Sequence, residues 1–155
     1  MTPIILPPAS NPVWQRAEAI VNAFRARGKH NPFICAGVVN GYAESGWKPV
    51  IAGDKDKSFG PWQMNWKFYG APILDALGID IRTEPDIARH VEAVLWALDR
   101  PANRKALAAL ESAITGIEAT RVWCAEFERA SAAGAVERRA AIASAIEVWL
   151  LNQEE

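Results

Sequence analysis

The sequence predicts a single, mostly α-helical domain with at most a small β-hairpin. Apolar residues recur at helical spacing through most of the 155 residues, and short stretches rich in Gly, Pro and polar residues separate the periodic segments. The chain is 50% hydrophobic and 23% charged, which is the balance of one compact globular unit. A domain of this length buries enough surface to fold without metals or disulfide bonds.

The first predicted elements are an extended lead-in and a helix. Residues 1–12 contain four of the ten prolines, which favours an extended segment before a domain of residues 13–155. A helix is expected to begin at Val13 and to stop near Gly28. Its apolar face follows helical spacing and consists of Trp14, Ala17, Ile20, Val21 and Phe24.

A second helix is predicted by its boundary residues. Asn31 supplies an N-cap and Pro32 suits the first helical position, and the segment stays nearly all apolar as far as Glu44, which Ser45 and Gly46 follow. A helix that is apolar on every side belongs in the core. Later helices are predicted from a capping-box-like start at residues 83–86 and over residues 102–114, 117–132 and 135–151.

The helical periodicity disappears between residues 46 and 65, so a long loop with room for a short hairpin is expected there. Loops of this length inside a compact domain are usually functional or disordered. Half of the aromatic residues lie in or beside this loop, which indicates an ordered segment that lines a site. They are Tyr42, Trp47, Phe59, Trp62, Trp66, Phe68 and Tyr69.

Composition argues against several partners. Seventeen basic and eighteen acidic residues give a net charge of −1 with no basic cluster, so nucleic acid is not an expected partner. The N-terminus lacks the features of a signal peptide, and no apolar run is long enough for membrane insertion.

No metal and no cofactor are expected, because the potential metal ligands Cys35, Cys124, His30 and His90 are too scattered in the sequence for a metal site. The two cysteines are expected to be buried free thiols.

Glu44 is the candidate catalytic residue that the sequence itself indicates. It ends an apolar helix, at the negative end of the helix dipole, with Tyr42 and Trp47 close in sequence. Desolvation and the dipole both disfavour the charged carboxylate, so Glu44 is expected to keep a proton near neutral pH, as a general acid requires. The alternative is a carboxylate that only caps or pairs at a helix end.

The motifs around Glu44 resemble the lysozyme superfamily in its goose-type and lytic transglycosylase branches. Residues 44–46 read Glu-Ser-Gly at a helix end. Gly60, Pro61 and Gln63 match the turn that follows in those branches, with Pro61 replacing the usual leucine.

A second motif lies later in the chain. Residues 123–129 resemble the aromatic-rich end of a helix in the phage tail lysozyme family, and Ala130 replaces the proline of that motif. Together the motifs cover roughly residues 13–145 and imply a lysozyme-like single domain. Glu128 and Arg129 are interpreted as a buried structural pair near the cleft rather than as catalysts.

The resemblance assigns roles to individual residues. It implies that Glu44 protonates the glycosidic oxygen and that Asp54 positions or activates the attacking water. For Asp54 the alternative is a solvated turn residue, with Asp56 beside it as a second candidate. The implied substrate-binding residues are Ser58, Gln63 and Asn65, through hydrogen bonds to sugars, and Trp62, Trp66 and Tyr69, through stacking, unless these rings belong to the core.

The implied function is that of a muramidase, a glycoside hydrolase acting as a phage endolysin or a virion-associated lysozyme. Its expected partner is the glycan strand of peptidoglycan, and a monomer is expected. Made in the host cytoplasm, it would reach periplasmic peptidoglycan after holin release or from the virion. Two alternatives stay open. A lytic transglycosylase would use the same Glu44 but form a 1,6-anhydro end, and a catalytically silent module of the same fold would bind glycan or act in phage assembly.

Overall fold

A computed structural model describes residues 2–153 and confirms a mostly helical chain with a small β element. Residues 1, 154 and 155, which belong to the predicted lead-in and domain, lie outside the described residues. The helices in the described part are α1 (Trp14–Ala26), α2 (Asn31–Ser45), α3 (Ala71–Leu77), α4 (Ile87–Leu98), α5 (Arg104–Ser112), α6 (Gly116–Val122) and α7 (Ala135–Asn152). Short turns of other helical types adjoin them: the π-helical Trp66–Gly70 before α3, the 3-10 Pro101–Asn103 before α5 and the π-helical Trp123–Phe127 after α6.

Helix α2 lies at the centre of the core, as its apolar sequence predicts. It packs against α1, α6 and α7, and most of its residues are buried. Two glycines let aromatic rings lie directly on its surface. A Cβ at Gly37 would come within 2.6 Å of the Phe24 ring, and one at Gly41 within 3.2 Å of the Trp62 indole. The Trp62 indole N–H donates to the Gly37 carbonyl at 2.9 Å, which holds the ring against the helix.

The end of α2 fixes the position of Glu44. Gly46 adopts a left-handed backbone conformation (φ +63°), and its N–H donates to the Tyr42 carbonyl at 2.9 Å. Gly46 is therefore a glycine C-cap, and the helix ends close to Glu44 as the sequence predicts. Because the helix ends there, Glu44 belongs to its last turn.

Some helix boundaries differ from the prediction. Helix α4 begins directly after the predicted start segment of residues 83–86, and its N-cap is the last residue of that segment, Asp86, whose side chain accepts the Ala88 N–H at 2.9 Å. Helix α6 was predicted over residues 117–132, but the chain leaves the helix after its π-helical turn. Arg129 adopts a left-handed conformation there (φ +53°), which a helix cannot contain. No helix within residues 2–153 has the length and apolar character of a membrane span.

The loop after α2 forms a small antiparallel sheet, so the segment is ordered as predicted. Strands β1 (Ala52–Gly53), β2 (Ser58–Phe59) and β3 (Met64–Asn65) pair in the order β1-β2-β3. Ala52 pairs with Phe59, and Ser58 pairs with Asn65. The sheet brings three consecutive segments of the loop to the end of α2.

Residues 2–12 contain no helix or strand and are attached to the domain by polar and apolar contacts. The Tyr42 hydroxyl donates to the Ile5 carbonyl at 2.9 Å, and the Trp14 indole N–H lies 3.2 and 3.1 Å from the carbonyls of Pro7 and Pro8. Ile4 and Leu6 pack against the core. This segment therefore covers part of α1 and α2.

A buried histidine makes the stability of the fold depend on pH. His90 on α4 is fully buried, and its Nε2 lies 2.7 Å from the Glu84 carbonyl. Burial lowers the pKa of His90 below its ordinary value of 6.5, although the Glu84 carbonyl and the charges of Glu84 and Asp86 oppose this effect. The pKa of His90 is therefore lower in the folded state than in the unfolded state. As a result, the neutral ring stabilises the fold fully at pH values above the unfolded-state pKa.

We expect this contribution to be lost as the pH falls from about 6.5 through the lowered pKa of His90. Urea unfolding at about pH 7.5 and about pH 5 measures it. The wild type should lose more free energy of unfolding between the two values than His90→Gln, which cannot take up the proton. An equal loss in both proteins would contradict this assignment.

Candidate active site

A cleft of about 240 Å³ opens where the end of α2 meets the sheet. It brings together most of the site residues predicted from sequence. Its lining consists of Glu44, Asp54, Ser58, Trp62, Gln63, Met64, Asn65, Tyr69, Phe127 and Glu128. Trp66, the remaining predicted residue, lines a neighbouring cavity instead.

Glu44 is held in place by a serine and an arginine. The Ser45 hydroxyl lies 2.9 Å from the Gly41 carbonyl and 2.8 Å from the Pro61 carbonyl, so it ties the end of α2 to the turn before β3. The Arg139 guanidinium donates through Nη2 to Oε1 of Glu44 at 2.7 Å. The Glu44 side chain is 25% exposed, which leaves it accessible from the cleft.

Arg139 is the central residue of a buried polar network that the sequence reasoning missed. It is 8% exposed, and its Nη1 donates to Asn40 Oδ1 at 2.8 Å and also to Glu128 Oε2. The other oxygen of Glu128 accepts the Trp123 indole N–H at 2.9 Å. One guanidinium therefore joins two carboxyl groups that lie far apart in the sequence, Glu44 and Glu128.

A signal for Arg139 was present in the sequence. The buried face of α7 has helical spacing, and Arg139 occupies a position on it in line with Ala135, Ile142, Ala143, Ile146 and Leu150. A charged residue is rarely buried without a partner. Such a residue on an apolar face therefore indicates a buried ion pair, although it does not indicate which carboxylate is the partner.

The predicted pair of Glu128 with Arg129 is wrong, because Glu128 pairs with Arg139. The left-handed backbone of Arg129 directs its side chain elsewhere, and its Nη2 lies 3.4 Å from the Ala102 carbonyl. Burial raises the pKa of Glu128 well above its ordinary value. Arg139 opposes this rise, whereas Glu44 adds to it through its charge and a side-chain hydrogen bond.

The sheet side of the cleft carries Asp54, Ser58 and Gln63. Asp54 is exposed in the turn between β1 and β2 and has a left-handed backbone (φ +51°). The Gln63 amide donates to the Gly60 carbonyl at 2.9 Å. Its Oε1 would come within 2.2 Å of a Cβ at Gly53, so only glycine allows this close approach. Asp56 does not line this cleft and instead lines the cavity that contains Trp66.

The three aromatic residues predicted to stack on sugars lie in different environments. Trp62 is 1% exposed and packs in the core, which was the alternative interpretation of this residue. Trp66 has the Arg82 guanidinium 3.9 Å from its ring centroid, so one of its faces is already covered. Tyr69 lines the cleft, and its hydroxyl oxygen accepts a hydrogen bond from Asn103 at 3.1 Å. Of the three, Tyr69 is the one placed to meet a ligand beside Glu44.

Asn65 both caps a helical turn and lines the cleft. Its side chain accepts the Phe68 N–H at 3.1 Å and so caps the π-helical turn before α3. Asn65 also lines the Glu44 cleft and the two cavities beside it. It therefore marks the point where the three cavities meet.

The described residues contain no group of three His, Cys, Asp or Glu side chains that could hold a metal ion. Cys35 and Cys124 are free and buried. Burial raises the pKa of Cys35 to about 12, and burial also raises the pKa of Cys124. Both groups are therefore protonated thiols near neutral pH, the form in which cysteine is least reactive.

Comparison with family models gives a match over residues 15–149, to the family described as phage tail lysozyme. The chain belongs to the phage tail lysozyme family. The resemblance found in the sequence motifs is thereby confirmed, and the protein is a lysozyme-like phage protein. Comparisons with curated proteins and with solved structures gave no match. The region shared with the phage tail lysozyme family begins within α1, ends within α7 and includes Glu44, the sheet and Arg139.

Proposed function

We propose that this member of the phage tail lysozyme family is a muramidase, which hydrolyses the β-1,4 bond between N-acetylmuramic acid and N-acetylglucosamine in peptidoglycan. The observation that carries this proposal is the cleft in which Glu44 and Asp54, from two different elements, line one cavity. A pair of carboxyl groups flanking the scissile bond is the usual requirement for glycoside hydrolysis. As an endolysin or virion-associated enzyme, the protein would act on periplasmic peptidoglycan.

Glu44 is the proposed general acid. It would protonate the glycosidic oxygen of the leaving N-acetylglucosamine while an oxocarbenium-like state develops at the anomeric carbon of N-acetylmuramic acid, which water then attacks. Arg139 fixes one oxygen of its carboxyl group, which holds the acid in one orientation. Glu128 is bound by the same guanidinium, and burial raises its pKa. Two carboxylates and one guanidinium would leave a net negative charge in a buried site, and one shared proton makes the cluster neutral.

Asp54 is the proposed second carboxylate, which orients the attacking water. It lines the Glu44 cleft, whereas Asp56 does not. An inverting hydrolase leaves about 6.5–9.5 Å between its two carboxyl groups, which is room for a water molecule. Asp54 is exposed to solvent, so a water molecule can reach its carboxyl group.

We expect Asp54→Asn to lower hydrolysis strongly, by about 100-fold, while glycan binding changes little. The rate of release of reducing ends from purified peptidoglycan measures the first effect, and co-sedimentation with insoluble peptidoglycan measures the second. Asp56→Asn is the matched control and should retain hydrolysis. Unchanged hydrolysis in Asp54→Asn, with a loss in Asp56→Asn, would move the role to Asp56.

A lytic transglycosylase is the second candidate function, because Glu44 and the Ser45 contact to the following turn would serve it equally well. That reaction needs no second carboxylate, since the sugar's own hydroxyl closes a 1,6-anhydro ring. Mass spectrometry of the products separates the two reactions. A silent glycan-binding or assembly module would release no soluble fragments at all.

Cofactor independence is a further expectation. Because the proposed chemistry uses only carboxyl groups and water, cleavage of peptidoglycan should continue unchanged after incubation with EDTA. The clearing rate of a cell-wall suspension, with and without the chelator, is the measurement. A rate that falls with EDTA and recovers with added divalent cation would contradict the proposed mechanism.

A further inference from the structure

We propose that an extension of the Glu44 cleft binds the acidic peptide stem that a glycan strand of peptidoglycan carries. This inference rests on the proposed function, because that function makes peptidoglycan the substrate. The extension is a cavity of about 410 Å³. It adjoins the Glu44 cleft, since both cavities are lined by Asn65, Tyr69, Phe127 and Glu128.

The extension presents two guanidinium groups and no free carboxylate. Arg100 and Arg129 both line it. Among the described residues that line it, Glu128 is the only acidic one, and it is already paired with Arg139. Within residues 2–153, the hydrogen bond of the Arg129 side chain is to a backbone carbonyl rather than to a carboxylate. Arg100 lies 3.8 Å from Asp99, whose side chain is 70% exposed, so this pair is weak and screened by water.

Arg100 is held by the protein before any ligand arrives. The Arg100 guanidinium lies 3.8 Å from the Trp96 ring centroid, and its Nε donates to the Trp96 carbonyl at 3.0 Å. Arg129 has a left-handed backbone, a strained conformation that is concentrated at functional sites. A side chain that is already ordered, as that of Arg100 is, loses less entropy on binding, which favours recognition of an anion.

The charge of the extension indicates which part of the substrate it meets. The chain as a whole carries a net charge of −1, so two guanidiniums beside the cleft are a local feature. The acetylated sugars of the glycan are neutral, whereas the peptide stem on N-acetylmuramic acid carries carboxylates. A strand with its scissile bond over Glu44 has that stem next to the reacting sugar. Phe68, which is 69% exposed and also lines the extension, adds an apolar surface for the side chains of the stem.

The test compares binding of two glycan preparations to the Glu44→Gln protein, which is expected not to cleave them. One preparation keeps its peptide stems, and the other has lost them through an amidase. The stripped strand therefore carries only the single lactyl carboxylate that this cleavage leaves on each N-acetylmuramic acid, in place of the several carboxylates of a stem. We expect the strands with stems to bind about threefold to tenfold more tightly, and the difference to shrink as salt is added. Adding Arg129→Gln or Arg100→Gln should remove most of this preference. Arg16→Gln, the same charge change on α1 outside both cavities, should keep it.

Two results would overturn the stem site. One is equal binding of both preparations, or no binding of either, by Glu44→Gln. The other is a preference that persists when Arg129 and Arg100 are both replaced. If one arginine variant unfolds, as thermal denaturation would reveal, the other gives the same comparison. Failure of the wild type to cleave either preparation would instead contradict the muramidase proposal, and the binding comparison would still decide the stem site.

Discussion

Glu44→Gln should lose at least about 100-fold in the rate of peptidoglycan cleavage, which is the lower end for removal of a general acid. The amide keeps the shape of the side chain and an oxygen that can accept from Arg139, so the change removes the transferable proton while leaving the contact at 2.7 Å available. The rate at which a cell-wall suspension clears measures the loss. Thermal unfolding checks that the variant is folded.

Glu18→Gln is the matched control for this prediction. Glu18 is exposed on α1 and lines neither the cleft nor the cavities beside it. The same change of chemistry there should leave the clearing rate unaltered. If folded Glu44→Gln clears cell walls as fast as the wild type and the control do, then Glu44 is not the acid.

Arg139→Met should be the most destabilising single change at the site. It would lower the free energy of unfolding by about 3–5 kcal/mol, the usual cost of removing one partner of a buried ion pair. Glu128, whose side chain is 9% exposed, would keep the Trp123 indole but lose its cationic partner, and Asn40 would lose the donor to its Oδ1. Because protonation relieves the unpaired Glu128, the destabilisation should be largest at neutral pH and should shrink as the pH falls.

Urea unfolding with two further variants tests this assignment. Arg138→Met removes a neighbouring arginine whose side chain donates to the Ala133 carbonyl at 2.9 Å, and it should change stability by only about 0.5 kcal/mol. Adding Glu128→Gln to Arg139→Met should recover part of the lost stability, since no buried charge then lacks a partner. Equal stability of Arg139→Met and Arg138→Met would contradict the buried network.

The part of the site that depends on local signals could be predicted from the sequence. An apolar segment with Pro32 at its start and Gly46 at its end defines α2, and these boundaries place Glu44 in its last turn. The glycines and aromatic residues after Gly46 indicated an ordered loop with a small β element, which the sheet confirms. Each of these inferences uses residues that are close together in the chain.

The part that depends on long-range packing could not be predicted. Arg139 reaches Glu44 from 95 residues away, and which carboxylate a buried arginine meets is decided by how α7 packs on α2. Tryptophan gives a similar ambiguity, because a large aromatic ring suits both a core and a sugar-binding surface. For Trp62, only its packing beneath the cleft shows that the ring belongs to the core and not to a sugar-binding surface. The left-handed backbone of Arg129 ends the helical segment earlier than predicted. Glycine or asparagine usually occupies such a position, and an arginine there gives no sequence signal for it.

The most direct test of the central claim is the chemical nature of the ends that the wild-type protein produces from purified peptidoglycan. Mass spectrometry of the soluble fragments distinguishes a reducing N-acetylmuramic acid end, formed by addition of water, from a 1,6-anhydro end. Hydrolysis with Glu44 as acid and Asp54 orienting the water predicts reducing ends. Fragments that carry only 1,6-anhydro ends, or no soluble fragments at all, would contradict it.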